Sequence, residues 1–260
     1  MKKWKPRKGT LKLCILSAVL LTVIIWTIWG NTALMVNTVT VTAGRIPATF
    51  SGFRIAQVSD LHNAEFGENN ARLLELLSES GPDIIVITGD LVDSGHTDID
   101  IAIRFAEEAA RIAPVYYVTG NHEARLSQYD RLRNGLEAAG VSMLEDRAVE
   151  LERDGEKITL VGLSDPDFTV RGDIFGEVPA MVSTKLESLA DTESSYTILL
   201  SHRPELFESY ASSGIDLVLS GHAHGGQFRL PFIGGLVAPN QGLFPKYDAG
   251  LYTESSTQMV

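Results

Sequence analysis

The chain has 260 residues, with 22 Lys and Arg against 33 Asp and Glu and a net charge of −11. That length suits one sizeable α/β domain, and the acidic balance makes nucleic acid an unexpected partner because like charges repel. A single cysteine, Cys14, excludes any disulfide within the chain.

The charge is polarised along the chain. Lys2, Lys3, Lys5, Arg7, Lys8 and Lys12 carry every charge of the first thirty residues, and no acidic residue precedes Asp60. Residues 13–29 contain no charge and are rich in Leu, Ile, Val and Trp. A run of that length sits at the short end of the roughly 17–25 residues that cross a bilayer. Basic residues before it predict a cytoplasmic N-terminus and an extracytoplasmic remainder, with Trp26 and Trp29 at the far interface. A cleaved signal peptide is the rival reading, but its apolar region is usually shorter. The expected division is a basic cytoplasmic tail (1–12), a single-pass cell-membrane anchor (13–30), a linker or added edge strand (31–50) and a globular domain (51–260).

Within the globular part, residues 53–58 read as a strand and 69–80 as a helix ended by Gly81-Pro82. A continuous apolar strand follows at 84–87, a helix at 99–112, a strand at 115–118 and a helix at 129–139. Strand and helix alternating at this spacing imply βαβ units around a parallel sheet. Beyond Gly140 the Asp154-Gly155 pair predicts a hairpin turn between strands at 148–152 and 157–163. A loop over 172–177, a helix at 180–189, strands at 196–200 and 216–219 and a helix at 204–211 complete the alternation. Residues 225–250, rich in Gly, Pro and aromatics, read as ordered loops beside a site. The end resembles a hairpin whose second strand has only begun, which predicts that the natural chain continues.

Five of the six histidines lie in short clusters at predicted strand ends: Asp60-Leu61-His62, Gly120-Asn121-His122-Glu123, Ser201-His202 and Gly221-His222-Ala223-His224. Gly89-Asp90 adds a carboxylate at another strand end. Side chains at i and i+2 point the same way in an extended strand, so Asp60 with His62, and His222 with His224, are expected to grip a cation together. Asp60, His62, Asp90, Asn121, His202, His222 and His224 are too many ligands for one ion and suit two that share Asp90. Mixed imidazole and carboxylate donors suit Mn, Zn, Fe or Ni. Two divalent cations against two aspartates leave a positive centre that attracts a phosphoryl group. His122 is placed to protonate a leaving oxygen, with Glu123 orienting it.

The order Asp-x-His, Gly-Asp, Gly-Asn-His-Glu, His, Gly-His-x-His resembles the calcineurin-like metallophosphoesterase superfamily, from Phe53 to the end of the chain. The resemblance implies a four-layer α/β/β/α sandwich of two mixed sheets. It also implies one metal on Asp60, His62, Asp90 and His224, a second on Asp90, Asn121, His202 and His222, and His122 as proton donor. The anchor, Ser201-His202-Arg203-Pro204-Glu205, Gly225-Gly226-Gln227 and Pro245-Lys246-Tyr247 resemble a membrane-anchored bacterial phosphodiesterase branch. A phosphodiester or pyrophosphate in a lipid-linked or envelope precursor is the expected substrate. Arg203, Gln227, Arg229 and Lys246 are candidate contacts to it. Asp165 and Asp167 read as turn residues, Asp93 as a loop cap or a supporting carboxylate, and His96 as solvated. Hydrolysis of small soluble nucleotides or phosphomonoesters is the alternative, and a non-catalytic metal-binding envelope protein the more distant one. No oligomeric state follows from the sequence.

Overall fold

A computed structural model describes residues 8–170, 176–230 and 232–260. Lys2, Lys3, Lys5, Arg7 and most of the loop expected at 172–177 lie outside the described residues. The chain forms two compact units, one ending at Asn37 and the other running from Thr38 to Val260.

The first unit is one long helix, α1 (Lys8–Thr32). Its stretch Gly9–Thr32 is 24 residues long, none of it buried, and is long and apolar enough to cross a membrane. At 1.5 Å per residue it measures about 36 Å, against about 30 Å of bilayer hydrocarbon. The Thr22 and Thr27 hydroxyls donate to the carbonyls of Ala18 and Val23, so these polar groups satisfy themselves within the helix.

In the second unit the described residues before Ala48 form no helix or strand. Phe50 is nevertheless buried, Val41 and Ile46 pack with it, and Arg45 Nη1 donates to Asp216 Oδ1 at 2.8 Å. The chain then alternates through β1 (Ile55–Val58), α2 (Ala71–Ser80), β2 (Ile84–Thr88), α3 (Ile99–Ala110), β3 (Val115–Val118), α4 (Asn121–Arg125), α5 (Tyr129–Ala138) and β4 (Ser142–Met143). These strands pair in the order β1-β2-β3-β4, parallel throughout. The hairpin of β5 (Arg147–Arg153) and β6 (Glu156–Gly162) leads through α6 (Val178–Leu189), β7 (Thr197–Ser201), α7 (Phe207–Ser212) and β8 (Leu217–Ser220). A short pair, β9 (Val237–Ala238) and β10 (Gly242–Leu243), precedes the final hairpin of β11 (Tyr252–Glu254) and β12 (Thr257–Met259). The second sheet runs β11-β12-β8-β7-β6-β5 and is mixed. The last strand completes the hairpin expected there and is held on both sides, antiparallel to β11 and parallel to β8.

Strand alternation explains the three cores. On β2, Ile85 and Ile87 face a cluster with Phe105, Leu132 and Leu136 of α3 and α5. Ile84 and Val86 face the opposite way, into a cluster with Leu160, Ile198, Leu200 and Leu219 of the second sheet. Leu199 and Val218 join a third cluster with Val182, Leu186 and Phe207 of α6 and α7. Both faces of each central strand are covered, as their unbroken apolar sequences require.

Candidate metal centre

β2 and β3 end in register, Thr88 opposite Val118, and β7 and β8 do the same, Ser201 opposite Ser220. The loops leaving these ends emerge at the carboxyl edges of the strands, where open α/β sheets carry their sites. Those after β1 and β2 are zipped together, with the amides of Asp60, His62 and Asn63 donating to the carbonyls of Gly89, Asp90 and Leu91.

Strand extension is not what turns the ligand-type side chains inward. Asp60, His62, Asp90, His222 and His224 have φ of 55°, 47°, 50°, 66° and 52°. All five are left-handed, a conformation costing roughly 1–2 kcal/mol for a residue with a β-carbon. The i, i+2 pairs therefore converge through tight turns rather than by alternation. Strain of this kind concentrates at functional sites.

Three groups of donor atoms result among the described residues; one, His62 with Asp93 and His122, shares His62, and the other two approach each other at Asp90. Of these two, Asp60, His62 and His224 form one, and Asp90, His202 and His222 the other. His224 Nε2 stands 3.5 Å from Asp60 Oδ1, and His62 Nε2 stands 3.6 Å from Asp90 Oδ2. On the other side His202 Nε2 is 3.2 Å from the same Asp90 oxygen and 3.1 Å from His222 Nδ1. Asn121 lies between Gly120, where a β-carbon would fall 2.2 Å from Asp90 Oδ1, and His122, whose amide donates to that oxygen at 2.8 Å.

These residues fit a metal pair. Among the described residues neither ring nitrogen of His62, nor Oδ1 of Asn121, has a hydrogen-bond partner, although all three atoms are buried. Leaving such a group unpaired costs about 1–3 kcal/mol, and coordination would remove that cost. His202 Nδ1 donates to the Thr88 carbonyl at 2.7 Å, which fixes the ring with Nε2 towards Asp90 and makes Nε2 the atom a cation would take once its proton is displaced.

The electrostatics match. Burial would raise the Asp90 carboxyl, but hydrogen bonds and charge from His202, with the His122 amide, hold it well below the carboxylate range. Burial would lower His202, yet Asp90 outweighs it and lifts the imidazole to about 9. His222 falls to about 2 through burial, then through the charges of His202 and Arg203. The proton that His202 keeps beside Asp90 is the positive charge a cation would replace.

Supporting residues differ from the sequence reading. Glu123 is fully buried, and its Oε2 accepts from the amides of Asp90 (2.8 Å) and Gly120 (2.6 Å), its Oε1 from Val92 (3.2 Å). It shapes the Asp90 loop and does not orient the His122 ring; burial and the Asp90 charge push its carboxyl up to about 7. The ring is oriented by Ser94, whose amide donates to His122 Nδ1 at 3.0 Å. With Nδ1 accepting, the neutral ring carries its proton on Nε2. Nothing in the sequence marks Ser94 for this task. Asp93 both caps its loop, accepting from the amides of Gly95 and His96, and sets Oδ2 3.7 Å from His122 Nδ1.

Arg203, expected at a substrate, is buried and committed. Its Nε and Nη2 donate to the two oxygens of Asp165 at 2.6 and 2.8 Å, and its Nη1 stands 3.2 Å from His222 Nε2. Asp165 is thus an ion-pair partner in the interior as well as a turn residue. Asn240, not singled out from sequence, also reaches His222 Nε2, at 3.2 Å. Arg229 bonds Asp248, Lys246 bonds Glu208, and Gln227 pairs through its backbone with Val237. The His96 side chain is exposed.

Residues 53–226 match the family model described as calcineurin-like phosphoesterase. The chain is 29% identical over 230 residues to the uncharacterized metallophosphoesterase YkuE of Bacillus subtilis, covering 85% of this chain and 74% of that one. It is also 29% identical over 227 residues to a Danio rerio transmembrane protein with metallophosphoesterase domain, covering 83% of this chain and 49% of that protein. In fold it resembles phosphopantetheinyl hydrolase from Mycobacterium tuberculosis, with a TM-score of 0.52 at 17% identity over 79% of this chain and 87% of that one. The matched span holds every aspartate, asparagine and histidine offered as a metal ligand, and the chain belongs to the calcineurin-like phosphoesterase family, as a hydrolase acting on phosphoester bonds.

Proposed function

We propose that this chain is a membrane-tethered, dinuclear metallohydrolase that cleaves a phosphodiester or pyrophosphate in a lipid-linked or envelope precursor. The observation that carries the metal reading is the convergence of two donor groups on one Asp90 oxygen, with the His62 ring and Asn121 Oδ1 left unpaired. Asp60, His62, Asp90 and His224 would hold one cation, and Asp90, Asn121, His202 and His222 the other; Mn, Zn, Fe and Ni suit such donors. When bound, the pair supplies Lewis acidity at the phosphoryl oxygens and lowers the pKa of the attacking water.

The chain's own residues do the rest. Asp90 sits between both groups, fixed by Glu123 beneath its amide and by the close approach of Gly120. His122, its Nδ1 held by Ser94, presents an Nε2 proton. As the water oxygen bonds to phosphorus and the ester P–O bond breaks, that proton passes to the leaving oxygen, while a proton shed by the water is released to solvent, from which His122 is reprotonated. Such transfer is worth about 10²–10⁴ in rate. The three cores support the four-layer sandwich, and α1, with the basic residues that begin the chain, supports a single-pass anchor with the domain outside the cytoplasm.

Full-length protein in detergent, supplied with Mn or Zn, tests the substrate class against aryl phosphodiesters, phosphomonoesters, nucleotides and nucleotide-linked lipids. The reading expects the lipid-linked diester or pyrophosphate to be turned over best. Preference for free nucleotides or phosphomonoesters would overturn the lipid part and leave the hydrolase.

A further inference from the structure

Residues 225–250 carry more exposed apolar surface than the site requires. Phe228 is 81% exposed, Leu243 73% and Phe244 70%, and Phe232, Leu230 and Ile233 are exposed beside them in sequence. In a soluble environment isolated exposed apolar residues are ordinary, but six in one loop pair are not. Three are phenylalanines held left-handed, with φ of 53° at Phe228, 67° at Phe232 and 56° at Phe244. Bulky residues seldom adopt that region.

The loops are built, not slack. Leu230 and Gly234 exchange backbone hydrogen bonds, Gln227 pairs with Val237, and the Phe244 amide donates to Leu236. Gly226 and Gly235 cross so closely that a β-carbon on Gly226 would lie 2.3 Å from the Gly235 Cα. Asp248 Oδ2 accepts from the Gly235 amide and from Arg229. The inner side of the same segment bears Asn240 against His222.

Charge points to the occupant. The globular part carries a strong acidic excess, yet no Asp or Glu occurs from 217 to 247, where the charged residues are Arg229 and Lys246. Both are ion-paired, Arg229 with Asp248 and Lys246 with Glu208, so the segment is close to neutral and repels an anionic surface less than the rest of the domain does. The chain also carries α1, whose apolar length suits a bilayer. Residues 33–40, between that helix and Val41, which packs in the second core, can extend to about 26–29 Å, enough to let the domain settle on the surface its anchor enters.

The geometry points to Phe228, Leu230, Phe232, Ile233, Leu243 and Phe244 as an interfacial surface that seats in the headgroup region of a lipid bilayer, beside the loop that touches His222. This rests on the anchor reading above but not on the identity of the substrate. Phe and Leu side chains of membrane-surface elements bury at the headgroup–acyl boundary, and their insertion would bring the metal centre to phosphoester groups of membrane lipids without extracting them.

The test uses the full chain, with Cys14→Ser and a single Phe232→Cys or Ser194→Cys carrying a bimane label, reconstituted in phosphatidylethanolamine–phosphatidylglycerol vesicles. The label at 232 should be quenched by nitroxide lipids and shielded from iodide, and the label at 194 should show the reverse. In a second arm, Phe228→Ser/Phe232→Ser should lower turnover of a vesicle-borne phosphodiester about tenfold while leaving a soluble aryl phosphodiester unchanged. Floating vesicles whose 232 label meets only iodide overturn the surface and keep the anchor. Protein absent from floated vesicles overturns both. Shielding from lipid and water alike, with cross-links between copies, assigns the patch to self-association and overturns the bilayer. Loss of surface quenching contrast and loss of lipid substrate turnover are separate results, so the substrate reading fails independently of this one.

Discussion

Asp165→Asn removes the charge that holds Arg203 beneath His222. Arg203 is 5% exposed and Asp165 2%, and two short hydrogen bonds join them. Breaking a buried pair by neutralising one partner costs about 3–5 kcal/mol. Two carboxylates remain near the orphaned guanidinium, Asp167 at 3.2 Å and Glu205 at 3.6 Å, and they place the loss at the lower end, about 3 kcal/mol. For a domain of this size that corresponds to a drop in Tm of roughly 6–12 °C. Thermal unfolding followed by circular dichroism, in chelator so that metal does not mask the change, measures it. The double variant Asp165→Leu/Arg203→Met should recover most of the stability, because an apolar pair of similar volume avoids the desolvation penalty. It should not recover metal affinity, since His222 loses its Nε2 neighbour. A Tm unchanged by Asp165→Asn would refute the reasoning, showing that Arg203 is not held in the interior by this pair.

Other outcomes follow from the same geometry. His122→Ala should reduce turnover of alkyl phosphodiesters by about 10²–10⁴ and that of p-nitrophenyl esters far less, because a good leaving group needs no proton; equal losses would remove His122 from that role. Glu123→Gln replaces one of the two oxygens that between them accept from three amides with an NH2 that cannot accept, so unfolding in denaturant should show a loss of about 1–3 kcal/mol; retained stability would show that the three amides do not depend on the carboxylate. Gly120→Ala forces a methyl against Asp90 Oδ1, and calorimetry should show weakened Zn binding with circular dichroism little altered.

Much of this was legible in the sequence because periodicity and chemistry coincide there. The all-apolar 84–87 run announced a strand covered on both faces, and β2 is buried throughout. Asp60, His62, Asp90, His202, His222 and His224, singled out because imidazoles and carboxylates recur together at strand ends, do bring their donor atoms together. What failed was the local path. Period-two reasoning assumed extended backbone at Asp60–His62 and His222–His224, and left-handed turns took its place. Contacts remote in sequence were also invisible. Ser94 reaches His122, Asp165 reaches Arg203 and Asn240 reaches His222 only because loops from different strand ends are folded together, and no spacing encodes that. Arg203 read as a substrate contact because sequence does not say which charges find an interior partner.

Metal stoichiometry tests the central claim most directly. Purified full-length protein, dialysed against Mn or Zn and analysed by inductively coupled plasma mass spectrometry alongside turnover of an aryl phosphodiester, should hold two ions per chain. Asp90→Asn should lose both the ions and the rate while its circular dichroism spectrum stays unchanged. A wild-type protein that is fully active with one ion or none, or an Asp90→Asn variant that keeps its metal and its rate, would contradict a pair of metals bridged at Asp90.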